Sequence, residues 1–191
     1  MKSQLKRSIK FSLTIAVITF VLAAIFSSLS SSILGGVAWF AGLIIVLIIV
    51  LIGVVFDMLG IAATAADETP FHAMAAEKVA GAKESVYIVR NADRFASFCN
   101  DVIGDISGIV SGTASAIVVL QIATLLEHSE GSTGQIMLST VMTSIIAAIT
   151  VGGKAIGKTF AINASTKIIF SAGKVLSVLD KKFKIKIIPK K

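Results

Sequence analysis

The chain has 191 residues, of which 55% are hydrophobic and only 15% are charged, against about 25% in an ordinary soluble domain. So short and apolar a chain cannot bury its hydrophobic side chains in one soluble core, and it is too aliphatic to be disordered. The single cysteine, Cys99, excludes an internal disulfide framework. The net charge is +7, but the placement of the basic residues along the chain argues against a nucleic-acid partner. The composition therefore predicts an all-α integral membrane protein in contact with the lipid bilayer.

Four uncharged stretches are long enough to cross a bilayer as helices, which takes about 20 apolar residues. The first two cover residues 11–29 and 33–56. The third and fourth, at about residues 106–126 and 135–153, contain more Gly, Ser and Thr and are weaker signals. Because lipid offers the backbone no hydrogen bonds, each stretch is predicted to be a transmembrane helix.

The N-terminal segment has two interpretations. Residues 1–10 form a basic segment, and residues 11–32 read as an additional N-terminal transmembrane helix followed by a serine-rich turn at 30–32. The same pattern resembles a cleaved signal peptide with a small-residue cleavage region. The apolar core is longer than the roughly 7–15 residues usual in signal peptides, which favours a retained helix.

The basic residues predict the orientation of the spans. All 18 Lys and Arg residues lie before the first span, between the second and third, or from the end of the fourth onward. Four crossings place these three regions on one side of the membrane. The other side receives only the serine-rich turn and a loop that contains Glu127 and Glu130. By the positive-inside rule, both termini of this multi-pass protein are expected on the cytoplasmic side of the cell membrane.

Residues 67–100, between the second and third spans, predict amphipathic juxtamembrane helices. Asp67 and Pro70 mark a helix start, and a break is expected near Asn91. The pattern suits either a helix in the membrane interface or a helix that packs on other parts of the protein, and both remain open. The apolar residues that recur at spacings of three and four are Phe71, Ala75, Val79, Ala82, Val86 and Val89.

A second juxtamembrane segment follows the fourth span. Residues 159–180 again intersperse aliphatic residues with lysines, so they predict a second amphipathic cytoplasmic helix. Residues 181–191 form a basic tail that is expected to be attracted to anionic lipid.

Small residues recur every fourth position in the third span, in a glycine ladder and a serine ladder. Such ladders allow helix backbones to approach closely in lipid. They predict helix packing, either within the monomer or across a homodimer, and lining a polar cavity is the second alternative. The glycine ladder is Gly104, Gly108 and Gly112, and the serine ladder is Ser107, Ser111 and Ser115.

Charged residues near the span ends are candidates for function, because charge inside a bilayer is costly. Asp57 follows the second span, Asp105 opens the third, and Lys154 closes the fourth. Asp101 and Lys158 are interpreted as ordinary helix-end residues. The two histidines are predicted to lie on opposite sides of the membrane, and the phosphate-loop and HExxH patterns do not occur in the sequence. No enzyme activity is therefore predicted.

Three stretches resemble the transmembrane domain of the cyclin M/CorC family of magnesium transporters. FDMLGIAATAA at residues 56–66 is similar to the end of that family's first span. RNADRFASFCNDVIGD at 90–105 is similar to its Asn-Pro-x-x-Leu segment and the following Ile-Gly-Asn-Asn. GKAIGKTFA at 153–161 is similar to its Gly-Glu-x-x-Pro-Lys-x-x-Ala. The resemblance implies a cyclin M/CorC-like membrane domain at residues 33–180 and a homodimeric assembly. It also implies a regulatory domain after the membrane domain, which the 191 residues do not include.

The resemblance also implies a function, which is magnesium transport or exchange. Magnesium would then be the cargo, and the implied pocket residues are Asp57, Thr64, Asp105 and Gly153. Lys154 stands where the family has a glutamate, and it is expected to pair with Asp105 in the cation's place.

These departures support an alternative function. The family's first-motif glutamate is replaced by Gly60, whereas a hard divalent cation prefers a negative site rich in oxygen. The alternative is a non-transporting membrane interaction or regulatory protein that retains the fold and has lost the ion site.

Overall fold

The computed structural model describes residues 2–126 and 132–183. The predicted loop residues Glu127 and Glu130, and residues 184–191 of the basic tail, lie outside these ranges. The described part of the chain is entirely helical, which confirms the predicted helical class. Its helices are α1 (Lys2–Leu34), α2 (Trp39–Ala65), α3 (Thr69–Ala76), α4 (Ala82–Arg90), α5 (Ala92–Ser97), a π-helix (Phe98–Gly104), α6 (Asp105–Leu125), α7 (Thr133–Asn163) and α8 (Ser165–Phe183).

Four helical stretches in the described ranges are long and apolar enough to cross a membrane, as predicted. They are Ile9–Leu34, Trp39–Ala65, Ala92–Leu125 and Thr133–Asn163. The helices of the second and fourth stretches continue about ten residues beyond the predicted ends of their spans. Asp57 and Lys154 therefore lie within helices rather than at helix ends.

The predicted turn at serines 30–32 is wrong, because these residues belong to α1. The Ser32 hydroxyl donates a hydrogen bond to the Ser28 carbonyl at 2.9 Å, so its polar group is satisfied inside the helix. The chain turns instead after Leu34, at Gly35 and Gly36. The second long apolar helix accordingly begins at Trp39, whereas the predicted second span began at Ile33.

The chain divides into two compact units, and the first consists of residues 1–54 and 101–153. Its most enclosed helix is α6, which packs along α1 through Val102, Ile106 and Val110. The Gln121 side-chain amide donates hydrogen bonds to the carbonyls of Leu34 and Val37, at 2.9 and 3.1 Å. These bonds hold the end of α1 against α6.

The serine ladder, rather than the whole glycine ladder, forms the packed face of α6. Ser107, Ser111 and Ser115 are buried, and a β-carbon added at Gly53 of α2 would lie 2.8 Å from Ser107 Cβ. By contrast, nothing lies within 4 Å of a β-carbon added at Gly108 or at Gly112. Of the glycine ladder, only Gly104 is buried within the unit.

The second unit consists of residues 55–100 and 154–191. Its core joins the end of α2 to α3, α4, α7 and α8. The amphipathic helices therefore pack on other parts of the same protein, which is one of the two alternatives that their sequence pattern left open. The buried core residues are Ala62, Ala63, Phe71, Ile88, Ala161 and Ile169.

The break near Asn91 is confirmed, but the sequence analysis missed an earlier break in the same segment. The apolar spacing from Phe71 to Val89 predicted one helix, whereas α3 ends at Ala76 and α4 begins at Ala82. Lys78 and Gly81 between them adopt left-handed backbone conformations, with φ of 57° and 92°. A β-carbon at Gly81 would lie 2.7 Å from the Lys174 amide nitrogen of α8. The turn is therefore shaped by the close approach of α8.

Candidate functional site

The second unit contains an ion pair between Asp57 of α2 and Lys154 of α7. Lys154 Nζ lies 3.8 Å from Asp57 Oδ1, and the two side chains are 29% and 18% exposed. Both helices continue past these residues, so each charge is held on a regular helical turn. A carboxylate and an ammonium that are both partly removed from water stabilise each other, because either alone would bear the cost of desolvation.

This pairing differs from the expected partner of Lys154. The resemblance implied Asp105 as that partner, whereas Lys154 pairs with Asp57 in the structure. Asp105 is the first residue of α6, is exposed within the first unit, and belongs to that unit. A direct role for Asp105 in a cation pocket stays a prediction.

The remaining predicted pocket residues are Thr64 and Gly153. Thr64 is exposed, and its hydroxyl donates a hydrogen bond to the Ile61 carbonyl at 2.9 Å. Gly153 is half-buried in the first unit, where an added β-carbon would lie 3.3 Å from Val54 Cγ2. Their roles as cation ligands also stay predictions.

Asn100 is a polar residue of the second unit that the sequence analysis did not single out. A β-carbon at Gly60 would overlap the Asn100 amide, so this glycine provides the space that the amide occupies. Asn100 Oδ1 is buried and has no hydrogen-bond partner in the described part of the chain. Burying such an acceptor costs about 1–3 kcal/mol, which calls for a specific explanation. The available signal was the asparagine of RNADRFASFCNDVIGD at residues 90–105, a stretch that the resemblance already covered.

Two features connect Asn100 to the ion pair. Asp57 and Gly60 are three residues apart on α2, so they share one face of that helix. Asn100 lies in the π-helix Phe98–Gly104, a rare element that often occurs at functional sites. A carboxylate and an amide oxygen are the ligand types that magnesium prefers. In this structure the Asp57 carboxylate is already neutralised by Lys154.

No group of three or more His, Cys, Asp or Glu side chains within the described ranges is arranged to hold a metal ion. A divalent cation at Asp57 would therefore need oxygen ligands of other kinds. It would also have to displace the Lys154 ammonium, since two cations cannot share one carboxylate at this distance without repulsion.

A separate charged cluster joins α3 to α4 at the surface. Glu68 Oε1 accepts a hydrogen bond from His72 Nε2 at 2.6 Å and another from Arg90 Nε. The hydrogen bond from His72, together with the hydrogen bond and charge of Arg90, lowers the pKa of Glu68 below its ordinary value. Hydrogen bonds from the Thr69 amide and hydroxyl likewise lower the pKa of Asp67. These contacts stabilise the start of α3 and its connection to α4.

The two units differ in net charge. The ranges of the first unit contain four basic and four acidic residues, so the whole net charge of +7 belongs to the second unit. Every Lys and Arg after residue 10 lies in the second unit.

Comparisons of the chain with protein-family models, with curated proteins and with solved structures found no match.

Proposed function

We propose that this chain is a multi-pass protein of the cell membrane that crosses the bilayer four times and has both termini in the cytoplasm. Two observations support this proposal. The chain has four long apolar helices, and many apolar side chains on them are exposed rather than packed against other parts of the protein. The most apolar parts of α1 and α7 are only 0% and 6% buried, and Phe20 and Val151 are 74% and 67% exposed. Such apolar surfaces are stable in lipid, whereas in water they promote aggregation. The basic second unit lies on the cytoplasmic side in this topology.

Single cysteines test the proposed topology. In a Cys99→Ser background, cysteines placed at Ser31 and Ser132 are expected to react with a membrane-impermeant maleimide in intact cells. Cysteines at Lys83 and Lys186 are expected to react only after permeabilisation, because the positive-inside rule places them in the cytoplasm. The reverse pattern at any of the four positions contradicts the four-span topology.

For its activity, we propose a non-transporting membrane interaction or regulatory protein. The observation that carries this proposal is the Asp57–Lys154 ion pair, with Nζ 3.8 Å from Oδ1 and both groups largely buried. A built-in ammonium occupies the charge position that a divalent cation would take at this carboxylate. In this proposal the chain has a cyclin M/CorC-like architecture in which the Lys154 ammonium blocks the ion site.

Magnesium transport is the second candidate function, and Asn100 favours it. Its buried amide oxygen has no partner in the described part of the chain and adjoins the face of α2 that carries Asp57. A cation bound there would satisfy this oxygen. The required change is separation of Lys154 from Asp57.

Magnesium flux distinguishes the two candidates. Wild-type protein in proteoliposomes, with and without a sodium gradient, is expected to show no magnesium flux above that of protein-free vesicles. A flux that depends on the protein and is lost in Asp57→Asn would overturn the non-transporting proposal.

We also propose that the chain forms a homodimer through the open part of the glycine ladder. Gly108 and Gly112 lie on an uncovered face of α6, and small residues permit close helix contact in lipid. Gly108→Leu is expected to convert the dimer to a monomer, as measured by light scattering in detergent. Gly152→Leu is the matched control, because that glycine also has nothing within 4 Å of an added β-carbon. An unchanged dimer mass for Gly108→Leu rejects this interface.

A further inference from the structure

The second unit contains an apolar groove that the ion pair does not use. Its volume is ≈ 670 Å³, and it lies between the end of α2, the π-helix with α5, and the junction of α7 and α8. Met58, Phe98, Phe160 and Leu176 line it from these different elements. The volume falls within the roughly 300–1,000 Å³ of sites that enclose small apolar ligands.

Large apolar side chains of the groove remain uncovered. Phe98, Phe160 and Val175 are 46%, 57% and 59% exposed. At about 25 cal/mol per Å² of apolar surface, covering such side chains is favourable. The groove is therefore suited to an apolar ligand.

The rim of the groove is cationic. Lys167 of α8 is exposed and is the only charged residue among the described residues that line it. Lys174 lies seven residues further, on nearly the same face of α8, with its Nζ 4.4 Å from the centre of the Phe170 ring. The described ranges of the surrounding unit contain ten basic and seven acidic residues, so the groove lies in a unit with a net positive charge. An occupant with an apolar body and an anionic end matches this arrangement.

We propose that the groove binds one acyl chain of an anionic phospholipid, with its phosphate paired to Lys167. Cationic pockets next to membrane helices on the cytoplasmic side are suited to anionic lipid headgroups. The bilayer supplies this ligand at high local concentration. The inference rests on the proposed insertion of the chain in a membrane, and it adds a specific ligand to that proposal.

Tryptophan quenching tests the proposal in the full-length protein. The chain has a single tryptophan, Trp39, so a Trp39→Phe/Phe160→Trp variant places the only tryptophan in the groove, where it can be excited selectively. The vesicles consist of phosphatidylcholine with a minor fraction of phosphatidylglycerol. In one sample the phosphatidylcholine carries brominated acyl chains, which quench tryptophan fluorescence, and in the other sample the phosphatidylglycerol carries them. The apparent affinity of the groove for phosphatidylglycerol is expected to exceed that for phosphatidylcholine about fivefold, from one lysine at the headgroup.

Charge reversal provides the matched control. Lys167→Glu in the reporter variant is expected to abolish the preference for phosphatidylglycerol. Lys182→Glu, the same change at an exposed lysine of α8 outside the groove, is expected to preserve it. Quenching by each lipid in proportion to its mole fraction in the vesicle, or an equal loss of preference in both charge variants, overturns the proposal.

Wild-type Trp39 separates this inference from membrane insertion. Trp39 begins the apolar helix α2 and is 42% exposed, so both brominated lipids are expected to quench it. If neither does, the chain is not inserted and the proposed membrane function fails. If Trp39 is quenched and the groove reporter is not, protein fills the groove and the lipid proposal alone fails. Should the reporter variant misfold, native mass spectra of wild type and Lys167→Glu give the same comparison through retained phosphatidylglycerol, and equal retention rejects it.

Discussion

Gly173→Ala is expected to destabilise the second unit by an amount near the upper end of the roughly 1–3 kcal/mol that overpacking costs. A β-carbon at Gly173 would overlap the Ser85 hydroxyl and the Gly81 carbonyl, and would lie 3.0 Å from the Ser85 amide nitrogen. Two of these three groups are backbone, so a rotamer change cannot relieve the contact. Moving α8 away would also weaken the hydrogen bond from Ser85 Oγ to the Ile169 carbonyl, now 3.2 Å long. The measurement is the melting temperature of the purified protein in detergent.

Gly152→Ala is the control for helix propensity. Gly152 lies within α7, and nothing is within 4 Å of an added β-carbon. Alanine is up to about 1 kcal/mol more favourable than glycine in a helix, so this variant is expected to be neutral or slightly stabilised. Equal melting temperatures for the two variants would show that α4 and α8 do not approach each other closely at Gly173.

Lys154→Glu is expected to create magnesium binding, whereas the wild type is expected to bind magnesium weakly or not at all. The substitution removes the ammonium from Asp57 and supplies a second carboxylate, while the Asn100 amide oxygen is available as a neutral ligand. Magnesium at 100 times its dissociation constant would stabilise the folded variant by about 2.7 kcal/mol. Thermal melts with and without millimolar magnesium measure this gain. Magnesium flux into proteoliposomes then shows whether the variant transports magnesium.

Two further variants complete the test. Lys158→Glu makes the same charge change at an exposed lysine of α7 and is expected to show no gain with magnesium. Lys154→Ala leaves Asp57 without its partner and is expected to lose stability. The loss should be smaller than the roughly 3–5 kcal/mol of a fully buried pair, because both side chains are partly exposed. If magnesium stabilises the wild type as strongly as it stabilises Lys154→Glu, Lys154 does not block the site. Magnesium transport then becomes the better-supported function.

The sequence by itself determined the helical class, the approximate positions of four long apolar helices, and the break near Asn91. These features depend on local composition, because a run of about 20 apolar residues favours a helix wherever it lies in a bilayer. The position of Gly35 and Gly36 also explains where α1 ends, although the three serines before them were misinterpreted as the turn. Ser32 is compatible with a helix because its hydroxyl bonds back to the preceding Ser28 carbonyl.

Only the tertiary structure decided which faces of those helices are used. Both ladders have helical spacing, but the serine ladder is buried, with Ser107 against Gly53 of α2, whereas Gly108 and Gly112 are open. The turn at Gly81 likewise depends on α8, which lies far away in sequence.

The candidate site was likewise decided by the tertiary structure. The sequence identified Asp57 and Lys154 as charges near apolar runs, but it could not assign them to each other or find the buried amide of Asn100. Ion pairs and unsatisfied acceptors are properties of distance and burial, which local sequence does not encode.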